Sequence, residues 1–173
     1  LGDVYKRQAV EAVAEDLGRP IATEVQEEQN GTGHAVQCGI RSLQDFEGTI
    51  IVTNADVPLL TADTLLGLHE AHTQVPTAVT VLSVHQEDPT GYGRIIRTED
   101  GEVTAIVEEK DADDDQKEIT EVNSGVFAFD AAILRSALGQ LDTDNAQGEL
   151  YLTDVLGIAR SEGHPCLLYT SDA

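Results

Sequence analysis

Asp56 follows an apolar, β-branched run, Thr49-Ile50-Ile51-Val52-Thr53, and is itself followed closely by Pro58. Such a run reads as a strand buried on both faces, with the acid at its carboxyl end. Ligands of open α/β sheets bind at that end, so Asp56 is a candidate for holding a metal ion or a phosphorylated ligand; a cap for the helix beginning near Thr61 is the plainer alternative. Gly31-Thr32-Gly33 opens a second helical pattern, where free backbone N–H groups and the helix dipole suit an anion. Neither the Walker pattern nor the dinucleotide fingerprint is present, and simple turn and cap glycines fit as well. In Gly91-Tyr92-Gly93-Arg94 the missing Cβ atoms let a backbone approach a bound ring, or start a hairpin. Glu108 ends a strand pattern and has the lone pairs to accept two sugar hydroxyls, and Asn123 offers one acceptor and two donors. Taken singly, both also fit an ordinary polar surface. His34 reads as a packing residue of its helix, and Asp88, Glu109, Lys110 and Asp111 as a charged rim.

The chain that must position these residues has 173 residues, 40% of them apolar, a formal net charge of −22 and only 10 basic side chains. That length suits one domain, with aliphatic packing supplying the core. The charge argues against nucleic acid or an anionic membrane as partner. An anionic ligand would need a divalent cation, backbone N–H groups or a few placed cations. The two cysteines, Cys38 and Cys166, have neither metal spacing nor a disulfide framework and fit a reducing cytoplasm. No apolar run is long enough to span a bilayer.

Periodicity predicts a helix over Ala9–Leu17, a short strand over Ile21–Val25, a helix from Gly31, the central strand at 49–54, and a helix from Thr61 to about His72. A buried strand follows at 78–84, which makes two βαβ units and a doubly wound sheet. Strands at 94–97 and 103–107 form a hairpin through Glu99-Asp100-Gly101. A solvated acidic loop at 111–117, a strand at 121–129, and helices at 131–138 and 148–160 complete the reading. Residues 1–8 and 166–173 have the texture of translated adapter sequence and are expected to be non-native tails, leaving 9–165 as a partial domain.

Several of these pieces recur together. Gln26-Glu-Glu-Gln-Asn-Gly31-Thr-Gly-His-Ala, Asp56-Val-Pro-Leu, Asp88-Pro-Thr-Gly-Tyr-Gly93-Arg-Ile, Ile106-Val-Glu108-Glu-Lys-Asp, Glu121-Val-Asn123-Ser-Gly and Asp144-Asn-Ala-Gln-Gly-Glu-Leu-Tyr-Leu-Thr-Asp154 occur in the order and spacing of a known family. Over residues 9 to 165 the chain closely resembles the uridylyltransferase half of the bifunctional N-acetylglucosamine-1-phosphate uridyltransferases, the GlmU type.

The resemblance implies a Rossmann-like, doubly wound mixed α/β sheet of the nucleotide-diphospho-sugar transferase type, incomplete at both ends. It implies a cytoplasmic enzyme that transfers UMP from UTP to N-acetylglucosamine 1-phosphate, giving UDP-N-acetylglucosamine and pyrophosphate for cell-wall synthesis, with Mg²⁺ as cofactor. Gln26 would read the uracil edge, Gly31 and Thr32 would contact the nucleotide, and Asp56 would bind Mg²⁺. Gly93, Glu108 and Asn123 would line the sugar pocket. Asn54-Ala55 stands where the family often has Tyr-Gly. The family's N-terminal glycine-rich loop, a second magnesium ligand and the β-helix domain through which such proteins form homotrimers have no counterpart in the sequence, so an inactive fragment is expected. The rival readings are a thymidylyl or guanylyl sugar nucleotidyltransferase and a non-catalytic nucleotide-sugar-binding fragment.

Overall fold

The computed structural model describes residues 21–57 and 60–170. The expected helix at 9–17 lies outside them. In chain order the elements are α1 (Thr32–Gly39), running on as a 3-10 turn at Ile40–Leu43, β1 (Thr49–Thr53), α2 (Ala62–Gln74), β2 (Val79–His85), β3 (Arg94–Arg97) and β4 (Val103–Val107). They continue with α3 (Asp114–Lys117), β5 (Glu121–Asp130), α4 (Ala131–Leu138), α5 (Asp154–Ser161) and β6 (Cys166–Thr170). The strands form one mixed sheet in the order β4-β3-β5-β2-β6, with β1 also paired to β5.

β5 organises the sheet. β2 lies antiparallel along one of its edges from Glu121 to Phe129. On the other edge β3 pairs at Arg94↔Val122, and β1 pairs regularly from Thr53↔Val126 to Thr49↔Asp130. β3 and β1 therefore share that edge end to end, and the handover falls at Asn123-Ser124-Gly125. There the β2–β5 register also shifts, between Val81 and Ser83, and Gly125 takes φ 81°. β1 and β2 run parallel to one another as a βαβ unit requires, but β5 lies between them. The parallel neighbour of β2 is β6, so the expectation of two successive βαβ units is corrected by an inserted antiparallel strand.

Alternation along β5 divides the core. Phe127 and Phe129 join the larger cluster with Leu134, Leu138, Val155, Leu156 and Ala159 from α4 and α5. Val126 and Ala128 join Leu68 of α2 and Leu82 of β2 on the opposite face. Helices thus cover both faces of the sheet, the layering that the continuous apolar run at 126–129 of β5 demands. α2 starts where the sequence places it, with the Thr61 hydroxyl accepting from Thr64 N at 3.2 Å.

Four expectations change. Residues 21–26 are irregular and largely exposed, Ile21 by 44%, because no strand among the described residues pairs with them. Within the acidic 111–117 stretch, Asp113 and Gln116 form a capping box that winds α3. The last helix begins at Asp154 instead of Gly148, because the preceding residues are spent in bonds described below. Residues 166–170, set apart above as tail sequence, lie in the sheet beside β2, with Cys166 only 8% exposed and Tyr169 packed on the smaller cluster.

Candidate active site

A path of hydrogen bonds and close contacts runs from the start of α1 across the ends of β4, β3, β5 and β1. Gly31 takes φ 99°, and a Cβ there would lie 2.5 Å from the carbonyl oxygen of Leu150. Only glycine satisfies both constraints. That closeness lets Gly33 N donate to Leu150 O at 2.8 Å, Leu150 N to Asn30 O at 2.9 Å and Leu152 N to the Thr32 hydroxyl at 3.0 Å. The amide of Gln26 folds over the same turn and donates to Gly31 O at 3.0 Å.

Thr153 carries the path onward by donating to Glu108 Oε1 at 2.9 Å. Glu108 stands at the end of β4 opposite Gly93, where a Cβ would come within 2.9 Å of Ile106 Cγ2 and 3.4 Å of Glu108 Oε2. Asn123 N donates to Gly93 O at 2.9 Å, and Asn123 Oδ1 accepts from Gly125 N at 2.9 Å. The side-chain amide of Asn54, just past β1, fills the space a Cβ on Gly125 would need. Asp56 follows two residues later, exposed. Among the described residues no ion pair uses its carboxylate.

The structure thus brings Gln26, Gly31, Thr32, Gly93, Glu108 and Asn123 onto one strip with Asp56 at its end, although 97 positions separate Gln26 from Asn123 in the chain. The strip lies at the strand ends where β5 passes from one neighbour to the next, a switch point of the kind at which α/β sheets bind ligands. Two clefts elsewhere, of about 630 Å³ beside Arg97, Arg160 and His164 and about 330 Å³ beside His72 and Asp130, contain none of these residues.

Three participants were not legible in the sequence. Thr153 holds Glu108. Tyr151 donates to Asp111 Oδ2 at 3.2 Å and accepts from Gln147 at 2.9 Å. Asn54 seats the turn at Gly125. The apolar spacing of 148–160 hid the first two inside an expected helix. Of the rim residues, Glu109 pairs with buried Arg94 at 2.6 Å, a structural role.

Electrostatics at the strip are unfavourable to its own acids. Burial raises the Glu108 carboxyl above the ordinary range, and the nearby Asp111 adds to it, against the Thr153 hydrogen bond. Asp154 is pushed up to about 6, by burial first and then by Asp142, Glu108 and Asp111. A carboxyl whose folded pKa exceeds its unfolded value binds more protons when folded, so this group costs stability as pH rises through roughly 4 to 6. Asp154→Asn is therefore expected to stabilise the chain at pH 7 by about 1–2 kcal/mol, after discounting for its partial exposure. Melting curves should show a gain of roughly 3–6 °C at pH 7 that disappears near pH 4; a gain equal at both pH values would assign it to packing or hydrogen bonding of the amide instead.

Asp56 suits Mg²⁺ as a single exposed carboxylate, because this ion keeps several waters and is held by one or two carboxylates together with phosphate oxygens. Among the described residues no three His, Cys, Asp or Glu side chains are grouped to hold a metal on their own.

An α/β sheet with helices on both faces and a strip of candidate site residues at its strand junction belongs to a recognisable class: the sequence matches the Nucleotidyl transferase family over residues 5–172, and the chain belongs to that family. It is 73% identical over 157 residues to the bifunctional protein GlmU of Corynebacterium efficiens, covering 91% of this chain and 32% of that protein. It is 69% identical over 163 residues to the same-named protein of Corynebacterium glutamicum, covering 94% and 34%, and 61% identical over 161 residues to that of Rhodococcus opacus, covering 91% and 32%. The chain spans about a third of the length of these curated relatives.

Proposed function

We propose that residues 9–165 form the base- and sugar-binding part of a uridylyltransferase that makes UDP-N-acetylglucosamine and pyrophosphate from UTP and N-acetylglucosamine 1-phosphate. The observation that carries this reading is the convergence of the separated sequence blocks on one strip at the β5 handover. Gln26 with Gly31 and Thr32 forms the base end, Gly93, Glu108 and Asn123 form the sugar end, and Asp56 lies where the phosphates would pass.

A phosphate oxygen of the sugar phosphate is already an anion at neutral pH. It attacks the α-phosphorus of UTP in line, forming the new O–P bond as the bond to pyrophosphate breaks, so no general base is needed. Glu108, buried and fixed on one oxygen by Thr153, offers its remaining lone pairs to sugar hydroxyls. Asn123 has an amide NH₂ uncommitted among the described residues to give to the ligand. Gly93 leaves the room both need. Asp56 would hold Mg²⁺, whose charge offsets that developing on the phosphates and on a chain of net charge −22.

Among the described residues no helix is long and apolar enough to cross a membrane; the cytoplasmic setting is read from the resemblance to the GlmU-type enzymes. The larger protein is read as a homotrimer through the GlmU-type β-helix domain. The test is a chimera in which this chain replaces the matching segment of the C. efficiens relative. Pyrophosphate release should require UTP, N-acetylglucosamine 1-phosphate and Mg²⁺ together; preference for dTTP or GTP with glucose 1-phosphate or mannose 1-phosphate would establish one of the rival transferases.

A further inference from the structure

We propose that Arg94 and Glu109 are positioning residues for the sugar end of the site, a clamp that fixes the gap between Gly93 and the Glu108 carboxylate. The inference rests on the sugar-pocket reading above. Arg94 is 1% exposed and is the largest fully buried side chain among the described residues. Its guanidinium donates through Nη1 to the carbonyl oxygen of Tyr92, and through Nη2 to Glu109 Oε2 at 2.6 Å and to Lys117 O at 3.4 Å. Glu109 Oε2 also accepts from Gly91 N at 3.3 Å. One ion pair thus holds together the turn at 91–92, the turn after β4 and the end of α3.

Gly93 and Glu108 are the chain neighbours of the clamped residues. Gly93 O accepts from Asn123 N at 2.9 Å, and the clamp grips the backbone immediately before it, at Gly91 N and Tyr92 O. Glu108 directly precedes Glu109, and its carbonyl oxygen accepts from Asp111 N and Ala112 N, both at 3.0 Å. Glu108 Oε2 lies 3.4 Å from the place a Cβ on Gly93 would take, so the two turns that the pair ties together are the two walls of that gap. Arg94 and Glu109 touch no sugar themselves and act through Gly93 and Glu108.

Stability alone is a weak reason for such a pair. The attraction within a buried ion pair often fails to offset its desolvation, and packed apolar groups of similar volume do as well or better. Arg94 Nε has no hydrogen-bond partner among the described residues, which adds to the cost. What the planar fork supplies and an apolar group does not is direction: Tyr92 O directly, and Gly91 N through Glu109, are held at set places relative to Glu108.

Arg94→Met combined with Glu109→Gln removes the fork without leaving a buried charge unpaired. In the C. efficiens chimera this double substitution should keep the melting temperature within about 5 °C of the parent. It should lower kcat/KM for N-acetylglucosamine 1-phosphate by about 10–100-fold. KM for UTP should stay within about twofold, because no hydrogen bond of the clamp reaches Gln26, Gly31 or Thr32. Arg94→Lys, which keeps the charge but not the fork, should fall between, and it decides by the same split if the double variant does not fold. A sugar kcat/KM within about threefold of the parent at a retained melting temperature, or an equal rise in KM for both substrates, overturns the clamp.

If the unaltered chimera transfers no UMP, the uridylyltransferase reading fails by itself. The clamp is then decided by hydrogen exchange in the ¹⁵N-labelled chain. Exchange of Asn123 N–H, whose acceptor is Gly93 O, that is roughly tenfold faster in Arg94→Lys while the Ala128 and Phe129 amides are unchanged supports it; an unchanged Asn123 rate, or equal acceleration of all three amides, refutes it.

Discussion

Replacing Asp56 by alanine in the C. efficiens chimera is expected to lower turnover by about a thousandfold or more, with a melting temperature within about 2 °C of the parent. The two effects separate because of where the residue sits. Asp56 is exposed in the turn after β1 and belongs to neither core cluster, so its loss opens no cavity. The seat beneath that turn, Asn54 on Gly125, is untouched. If the carboxylate holds the metal against the phosphates, losing it removes that charge stabilisation. Near-parental turnover at saturating Mg²⁺ would move the metal site elsewhere; lost turnover with a melting point many degrees lower would mean the turn had collapsed.

Glu108→Gln in the same chimera should reduce kcat/KM for N-acetylglucosamine 1-phosphate by about 10²–10³-fold. Glutamine keeps the shape and an acceptor for the Thr153 hydroxyl, but it replaces a charged double acceptor with one acceptor and one donor. Two sugar hydroxyls then compete for a single oxygen, and an amide N–H is left facing a donor. The pH profile adds an independent check. Burial raises the carboxyl of Glu108, so its accepting form is lost as pH falls through a value above the ordinary carboxylate range. The parent should show that acid limb of activity and the glutamine variant should lack it. An unchanged kcat/KM, or an acid limb that survives the substitution, would remove Glu108 from the sugar pocket.

What the residues disclosed in advance divides along physical lines. Elements with a single strong period were legible: the β-branched run at 49–53, the helix capped by Thr61, the hairpin through Gly101 and the strand ending at Asp130 all stand within a residue or two of their expected places. The insertion of β5 between β1 and β2 was not, because periodicity within a strand says nothing about which neighbour takes its edge. The segment 148–153 was misread for a related reason. Its apolar spacing suits a helix, but its backbone bonds go to Asn30, Gly33 and Thr32, residues about 120 positions away, and tertiary pairing overrides local propensity.

The candidate site residues were nameable only through the ordered blocks of the family pattern, since each alone fits a turn, cap or polar surface. Their supports, Thr153 and Asn54, act through contacts distant in the chain, which residue type does not record. The strand formed by 166–170 shows the converse, that a short apolar stretch beside an open edge is taken into a sheet whatever its origin.

The central claim is that the strip from Gln26 to Asp56 binds a nucleotide sugar with a divalent ion at its Asp56 end. Mn²⁺ titrated into the ¹⁵N-labelled chain with and without UDP-N-acetylglucosamine tests it most directly, because paramagnetic broadening falls off steeply with distance from the ion. With the nucleotide sugar present, the amides of Asn54, Ala55, Asp56 and Gly125 should disappear first, at Mn²⁺ concentrations that leave them visible when the ligand is omitted. First losses at Asp113–Asp115, or around Asp142 and Asp154, unaffected by the ligand, would show the ion following bulk negative charge and would contradict the site.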